Sequence, residues 1–563
     1  MSKRGATPPT PKLFTRRPKA DELLFVPLGG SGEIGMNLNL YGTAGKWLML
    51  DLGMTFADER QPGIDLILPD PTFIEDRRDD LIAIVLTHAH EDHIGAVPYL
   101  WSRLQCPIYA TPFTAALVRR KLAEAGLERE VELNILPMNG KVELGPFACE
   151  LITLTHSIPE PNAVAIHTGF GTVLHTGDWK IDPEPLVGAT TDRKRLEELG
   201  TSGVLAMVCD STNVFSPGTS GSEAAVRESL IELIGPLEGR VAVTTFASNV
   251  ARMSSIAVAA AEADRHLVLV GRSMHRVVEA AKETGYLADF PPVLGEDEAG
   301  YLPKDKVLYM CTGSQGEPRG AMARIARGEH RHISLTRGDT AIFSSKIIPG
   351  NELTLGDVHN QLASAGVQVI TEKGNFIHVS GHPNRDELAA MYAWVRPQIS
   401  VPVHGEPRHL VEHAAFAKTL QVRHAPIIKN GDVLRLAPGA PDIIGEVEAG
   451  RLAVDGDLIV EVDDPAIVAR RKMAFAGHIV VTLVVDAKGK AVTEPEVVIA
   501  GLAEEEDGDL AAEIAEAVKA ALPRGRTDID SLTEAARQAA RRAANRITGR
   551  KPVTDVQVIR LPG

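Results

Sequence analysis

The sequence lacks the features that mark secreted and membrane proteins. Its four cysteines are widely separated and form no CxxC pair, so neither a disulfide framework nor a structural zinc knuckle is expected, and a reducing compartment is favoured. No apolar run approaches the roughly 18–20 residues that a membrane helix requires. The first residues contain no apolar stretch of the kind found in a secretory signal. We therefore predict a cytoplasmic protein that does not enter a membrane.

Positive charge is also in short supply. Lys and Arg number 59 against 74 Asp and Glu, which gives a formal net charge of −15. Binding a polyanion over a whole surface needs clustered Lys and Arg, so this balance argues against it. A narrow channel is compatible with the balance, because bound metal cations can invert the local field. Residues 1–20 are basic and rich in proline, and we interpret them as a disordered tail.

The order of the apolar runs predicts an α/β fold with an insertion and a C-terminal addition. Strand-like runs alternate with helical patterns, and a block with its own strand–helix pattern interrupts them. Residues 21–215 and 376–455 are assigned to one domain, and residues 216–375 to a second α/β domain inserted into it. A linker over 456–475 is expected to lead to a small α+β domain at 476–563.

One glycine-rich segment imitates a dinucleotide-binding motif. Gly30, Gly32 and Gly35 form a GxGxxG pattern after a predicted strand. Such a motif requires a helix next, whose N-terminus receives the pyrophosphate. The segment that follows, MNLNLYG, alternates as a strand does. We therefore interpret the glycines as a tight turn between two strands that border the active site.

The densest chemistry lies in the segment THAHEDHIG, which follows the apolar run LIAIVL. If the backbone there is extended, His88 and His90 project the same way and can hold one ion, while Asp92 and His93 turn toward a second. Imidazole and carboxylate ligands suit zinc. A surface cluster of this density beside an apolar strand is improbable by chance.

Three distant residues extend this cluster. His156, Asp178 and His404 each lie at the end of a predicted strand. Each taken alone has an alternative interpretation as a hydrogen-bonded core residue. Their shared placement in one α/β pattern favours a site with two ions.

These residues resemble the metallo-β-lactamase superfamily. HAHEDH is similar to its HxHxDH signature, and Asp51 in WLMLDLG is similar to an early aspartate that orients the metal loop through hydrogen bonds. The resemblance implies an αββα sandwich. It leaves the substrate open, because small-molecule hydrolases of the superfamily share these residues.

The insertion indicates a narrower family. CDSTN around Asp210, SGH at 380–382 and HGE at 404–406 resemble motifs A, B and C of the β-CASP group, which acts on nucleic acids. Histidine in motif C points to RNA, since DNA-directed members usually carry valine there. GGSGEIGMN, TFASN, GRSM, TGSQGEP and HVSGHPNRDE resemble the ribonuclease J family in order and spacing, from about residue 23 onward with weaker similarity after 450.

That resemblance implies a role for each site residue. One metal would be held by His88, His90 and His156, the other by Asp92, His93 and His404, with Asp178 bridging them. Asp92, Asp178 and Asp210 are then catalytic together with His382, the candidate donor to the developing charge and the leaving 3′-oxygen. A purely structural role for His382 in a glycine turn is the alternative. The candidate phosphate-binding residues are Arg272, Ser273, His378, Ser380, Gly381 and His382.

The function implied is a two-metal ribonuclease in RNA processing and decay. It would act as a 5′→3′ exonuclease on single-stranded RNA with a 5′-monophosphate and also as an endonuclease. Two zinc ions are expected, with manganese or magnesium as alternatives. A homodimer or homotetramer and membership of an RNA-degradation complex are expected partnerships.

Three other functions fit the sequence less well. A cleavage and polyadenylation endonuclease lacks the small C-terminal domain. A small-molecule metallo-hydrolase gives the three motifs no purpose, and a silent RNA-binding subunit should have lost metal ligands.

The last predicted helix is basic and has two interpretations: a solvated face, or a face that contacts RNA or another subunit. Its cationic residues are Arg537, Arg541, Arg542 and Arg546, followed by Arg550 and Lys551.

Overall fold

The fold was obtained as a computed structural model, which describes residues 12–348, 350–504, 509–523 and 528–562. The chain separates into two units. One contains Met1–Thr55 and Leu68–Gly450, and the other contains Phe56–Ile67 and Arg451–Gly563. No helix among the described residues is both long enough and apolar enough to cross a membrane.

Two sheets form the centre of the first unit. In spatial order, the strands of the first sheet are Asp442–Glu446, Asp432–Ala437, Leu23–Gly29, Leu38–Thr43, Lys46–Leu50, Leu81–Val85, Ile108–Ala110 and Leu133–Ile135. Those of the second are Ile399–Val403, Val204–Asp210, Gly171–His175, Asn162–Thr168, Phe147–Thr153 and Lys141–Leu144.

The core between these sheets follows the two-residue period of their strands. Val85 from the first sheet and Val164 and Val208 from the second belong to one buried cluster. Leu174 and Met207 belong to another, shared with surrounding helices. The two sheets therefore pack face to face with helices outside, which confirms the predicted αββα sandwich. Its helices are Thr72–Glu75, Glu91–Ile94, Val97–Leu104, Pro112–Glu124, Arg193–Ser202, Arg385–Val395 and Pro407–Thr419, with a 3₁₀ turn at Arg78–Asp80.

The predicted insertion has a parallel sheet of its own. Its strands are, in order, Val293–Leu294, His266–Val270, Val307–Cys311, Val241–Thr244, Thr340–Phe343 and Gln368–Ile370. Because parallel neighbours need crossovers, helices alternate with the strands. These are Glu223–Ile234, Val250–Glu262, Arg272–Glu283, Ala321–Ala326 and Glu352–Ser364, with 3₁₀ turns at Ala299–Tyr301 and Lys304–Lys306.

A buried arginine ties the insertion to the segment that returns to the first domain. Arg252 is inaccessible to solvent and makes a bidentate ion pair with Glu223, with both N···O distances 2.9 Å. Its remaining Nη1 donates to the Ser344 carbonyl, the Ser344 hydroxyl and the Ile377 carbonyl at 2.7–3.0 Å. Ile377 lies three residues before the SGH motif, so these hydrogen bonds fix the backbone segment that leads to His382.

We expect Arg252→Ala to lower the free energy of unfolding by about 3–5 kcal/mol, because it leaves the Glu223 carboxylate buried without its partner. Urea unfolding followed by circular dichroism measures this. Arg193→Ala is the control, since its ion pair with Glu197 is solvent-exposed and should contribute less than about 1 kcal/mol. Equal losses in the two variants would contradict the assignment of Arg252 as a buried anchor.

The second unit contains two further sheets. One is four-stranded, with the order Leu458–Glu461, Arg451–Asp455, Leu66–Pro69 and Thr55–Phe56, and its last two strands lie at the two ends of the segment Phe56–Ile67. Its three-stranded sheet has the order Glu496–Ala500, His478–Val485 and Val553–Arg560. The helices are Pro465–Ala476, Leu510–Ala521 and Ile529–Thr548. The predicted α+β character is correct, but the linker predicted over 456–475 is wrong, because a strand and a helix occupy it.

The N-terminal prediction needs a correction as well. Residues 1–11 lie outside the described part of the chain, but residues 12–20 are not a solvated tail. Phe14 is buried, and its N–H donates to the Glu446 carbonyl at 2.8 Å. Arg16 pairs with Glu22 at 2.8 Å. This apolar anchor and ion pair attach the segment to the sandwich.

Candidate metal centre

A hydrogen-bonded aspartate shapes the histidine loop. The strand Leu81–Val85 ends just before Thr87, and His90 precedes the short helix Glu91–Ile94. The Asp51 carboxylate accepts hydrogen bonds from the backbone N–H and the hydroxyl of Thr87 at 2.8 and 2.9 Å, and lies 2.7 Å from His93 Nδ1. Asp51 is fully buried with a φ of +63°, so its backbone is held in the left-handed region where its carboxylate reaches the loop.

The loop brings its side chains to residues from three other strand ends. Ligand atoms of His88, His90, His156 and Asp178 lie within 4.8 Å of one another, and so do those of Asp92, His93, Asp178 and His404. Asp178 is common to both groups. Its Oδ2 lies 3.3 Å from His93 Nε2 and 3.9 Å from His156 Nε2, while its Oδ1 lies 3.4 Å from His404 Nδ1. The groups coincide with the two ligand sets that the resemblance implies.

The protonation of these groups suits a cation. Burial lowers the pKa of His90 to about 4, and it lowers the pKa of both His88 and His156 well below the ordinary value. These imidazoles are therefore neutral with a lone pair available. Burial opposes ionisation of Asp178, but His404 and His93 outweigh it and hold the pKa of this carboxyl well below its usual range.

The second group carries excess negative charge. Burial alone would lower the pKa of His93, but Asp178, Asp51 and Asp92 together raise it well above the ordinary value. Three carboxylates around one imidazole form a field that a bound cation would balance. This donor set, with imidazole nitrogens and carboxylate oxygens only, fits zinc and is also compatible with other divalent ions.

A third pair borders the metal ligands. His382 Nδ1 lies 2.8 Å from Asp210 Oδ2 and 3.8 Å from Asp178 Oδ2. Burial disfavours the imidazolium, but Asp210 and then Asp178 and Asp92 raise the pKa of His382 to about 9. Asp210 is fixed in turn by the N–H and hydroxyl of Thr212, which donate to its Oδ1 at 2.8 and 2.7 Å. The geometry thus places an imidazole, hydrogen-bonded to a carboxylate, beside the candidate metal ligands.

The glycine turn also contributes to the site. Gly30, Gly32 and Gly35 have φ of +84°, +94° and +90°, and the strand Leu38–Thr43 follows them, so no dinucleotide-binding helix is present there. His404 N–H donates to the Gly30 carbonyl at 2.6 Å. A Cβ added at Gly35 would lie 3.3 Å from Asp92 Cβ. The turn therefore borders both Asp92 and His404.

Three contacts of the site, made by Asn37 and by the Gly381 carbonyl, were not identified from the sequence. Asn37 Nδ2 lies 3.0 Å from both His93 Nε2 and His404 Nδ1. The Gly381 carbonyl lies 2.5 Å from His156 Nδ1 and accepts its hydrogen bond. Asn37 lies in the segment GGSGEIGMN, and the similarity of that segment to the family is the signal that could have identified it. A backbone carbonyl leaves no signal in side-chain identity.

The candidate phosphate-binding residues are only partly brought together. Ser380 Oγ accepts from Asn213 Nδ2 at 2.7 Å and from the His382 N–H at 3.2 Å, so it belongs to the His382 loop. His378 Nδ1 is buried and has no hydrogen-bond partner within the described residues. Arg272 and Ser273 are exposed at the start of helix Arg272–Glu283, and no contact within the described chain joins them to the metal ligands.

Replacing Asp51 should weaken metal binding without removing a ligand. We expect Asp51→Ala to raise the Kd for zinc about 10–100-fold, because Thr87 and His93 lose the carboxylate that orients them. Competition with a fluorescent zinc chelator measures the Kd. Asp289→Ala, at an exposed carboxylate of the insertion, is the control. An unchanged Kd in Asp51→Ala would show that the loop is rigid without this carboxylate.

Family models match successive parts of the chain. The Metallo-beta-lactamase superfamily model matches residues 37–243, and the model for the Ribonuclease J beta-CASP domain matches 238–362. A Zn-dependent metallo-hydrolase RNA specificity domain matches 366–425, and the Ribonuclease J C-terminal domain matches 465–561. The third match contains His382 and His404.

Individual proteins are similar over most of their length. A ribonuclease J of Sinorhizobium meliloti is 47% identical, covering 96% of this chain and 98% of the relative. A ribonuclease J of Mycolicibacterium smegmatis is 44% identical, covering 82% and 83%. Among solved structures, a protein of unknown function from Enterococcus faecalis V583 aligns with a TM-score of 0.52 at 16% identity, covering 74% of this chain and all of that one, which supports the fold alone.

Proposed function

This chain belongs to the ribonuclease J family of metal-dependent ribonucleases, and we propose that it hydrolyses RNA phosphodiester bonds with two zinc ions. In this proposal it is a 5′→3′ exonuclease that prefers RNA with a 5′-monophosphate, and it also cuts RNA internally. The observation that carries the proposal is the pair of ligand groups that share Asp178 beside the Asp210–His382 pair. Mononuclear hydrolysis would need only one of these groups.

The proposed chemistry assigns a task to each set of side chains. When bound, two metal ions would supply Lewis-acid stabilisation for an in-line displacement at phosphorus. His88, His90 and His156 would hold one ion and Asp92, His93 and His404 the other, with the ionised Asp178 facing both. His382, which Asp210 keeps protonated and oriented, would donate to the phosphoryl oxygens or to the leaving 3′-oxygen. Asp51 positions the loop without touching substrate.

The 5′-end preference is assigned to the loop before His382. His378 presents an unpartnered buried nitrogen, and Ser380 and Gly381 adjoin His382, so a terminal phosphate would find donors there. Arg272 and Ser273 would contribute from the insertion. The wider proposal includes a homodimer or homotetramer, participation in an RNA-degradation complex, and action in the cytoplasm on RNA processing and decay. Manganese or magnesium could replace zinc in turnover.

The test compares three RNAs of one sequence that carry a 5′-monophosphate, a 5′-triphosphate or a 5′-hydroxyl. Wild type should release mononucleotides progressively from the monophosphate RNA alone, and His88→Ala should release none. His167→Ala, at a partly exposed histidine outside the ligand groups, is the matched control and should behave as wild type. Equal release from all three RNAs would contradict the end preference, and decay by His88→Ala would contradict metal-dependent hydrolysis.

A further inference from the structure

The C-terminal unit has a basic hollow of about 740 Å³ that none of the roles above uses. It lies among helix Pro465–Ala476, helix Ile529–Thr548 and the start of strand Val553–Arg560. Five cationic side chains and one phenylalanine dominate its lining, and no lining residue is acidic. They are Lys472, Phe475, Arg537, Arg541, Arg550 and Lys551.

Helical spacing explains why these side chains converge. Arg537 and Arg541 are four residues apart, and Lys472 and Phe475 are three apart, so each pair lies on one face of its helix. A different face of the longer helix is apolar, with Ala536, Ala540 and Ala544 buried. Packing of these alanines therefore turns the arginines outward to the hollow.

Much of this charge is not neutralised within the protein. Arg537 pairs with Glu534 at 2.9 Å. The side chains of Lys472, Arg541 and Lys551, in contrast, make no hydrogen bond or ion pair within the described part of the chain. The chain as a whole has a net charge of −15, so this group of unpaired Lys and Arg side chains is a local exception. Their positive charge attracts an anionic ligand to the hollow.

The aromatic ring narrows the chemistry of that ligand. Phe475 is 75% exposed, and the Arg550 guanidinium lies 4.9 Å from the centre of its ring. Arg550 also donates to the Phe475 carbonyl at 2.9 Å, which holds the two side by side. A solvent-exposed ring between cations is the arrangement on which single-stranded nucleic acids stack a base while their phosphates meet Lys and Arg. An acidic protein segment would satisfy the charges but leave the ring without a matching partner.

We propose that this hollow binds a stretch of single-stranded RNA, with phosphates at Arg541, Lys551 and Lys472 and one base stacked on Phe475. It is an accessory RNA-binding site within the C-terminal unit, separate from the residues that hold the metal ions. The choice of RNA as the ligand rests on the proposed function; the cationic and aromatic character of the site does not.

The test measures binding without hydrolysis. Fluorescence anisotropy of a labelled 5′-hydroxyl RNA of about 20 nucleotides, in a chelating buffer, compares full-length wild type with Arg541→Ala/Lys551→Ala. We expect about tenfold weaker binding at low salt. The slope of log K against log salt should become shallower by about 1.4, from two phosphate contacts at about 0.7 each. Phe475→Ala should weaken binding at least about fivefold and leave the slope unchanged.

The matched control is Arg542→Ala/Arg546→Ala, which removes two charges from the same helix at residues that do not line the hollow. It should bind RNA within about twofold of wild type. Equal losses in both double variants would overturn the site, since only overall charge would then matter. Altered oligomeric state in sedimentation with RNA binding unchanged would also overturn it, in favour of a second copy as occupant. Because no metal is present, a lack of hydrolysis would not affect this result.

Discussion

Asp178→Asn is expected to lower kcat for RNA hydrolysis by about a thousandfold or more. Asp178 is the one side chain shared by both ligand groups, with oxygens within 4 Å of His93, His156 and His404. Lewis-acid stabilisation of a phosphoryl transition state contributes several kcal/mol, and about 4 kcal/mol corresponds to a thousandfold. Asparagine keeps the shape but replaces one carboxylate oxygen with an NH2 group and carries no negative charge.

Two readouts separate this effect from misfolding. Metal content should fall below that of wild type, while the thermal unfolding midpoint measured with chelator present should stay within a few degrees, since the substitution is nearly isosteric. Asp182→Asn is a poor control, because Asp182 forms a buried ion pair with Lys180 at 2.9 Å. The exposed Asp289→Asn serves instead. A folded Asp178→Asn protein that keeps kcat within tenfold of wild type would contradict a shared ligand.

His382→Ala is expected to lower kcat by about 10²–10⁴ while metal content stays unchanged. This is the range that a positioned proton donor contributes. His382 contacts Asp210 at 2.8 Å and belongs to neither of the two four-residue ligand groups; it forms a separate cluster with Asp178 and Asp210. We therefore expect its loss to affect the chemical step and not the loading of metal at the two four-residue groups. Initial rates under saturating RNA, together with metal analysis, measure both quantities.

A double-mutant cycle distinguishes a catalytic pair from a structural histidine. Asp210→Asn alone should reduce kcat, because His382 loses the carboxylate that orients it. In the His382→Ala background the same change should add little, since residues that act as a unit are not additive. Fully additive losses would show that Asp210 and His382 act separately, and loss of metal from His382→Ala would assign it to metal binding instead.

The sequence predicted the parts of the fold where chemistry and burial coincide. Strands Leu23–Gly29 and Leu81–Val85 are buried almost throughout and read as continuous apolar runs. The resemblance carried by HAHEDH and the three β-CASP motifs is confirmed by the family matches. The candidate metal ligands follow the ends of strands that belong to one sandwich. Their convergence could therefore be predicted from the sequence.

Other features depend on contacts that the sequence does not display. The strand Leu458–Glu461 lies within the predicted linker, and its side chains are mostly exposed, so burial imposes no alternating apolar pattern on its sequence. The assignment of Phe56–Ile67 to the C-terminal unit depends on pairing with strands almost 400 residues later, which local pattern cannot indicate. Asn37 contacts two candidate ligands only because the glycine turn brings it there.

Titration of metal-free protein with zinc tests the central claim most directly. RNA hydrolysis and bound zinc per chain are measured on the same samples, with Asp178→Asn in parallel. A two-ion site predicts that hydrolysis stays near background through the first equivalent and rises as the second binds, whereas Asp178→Asn remains inactive. Full activity at one bound ion per chain, or in the metal-free protein, would contradict the claim.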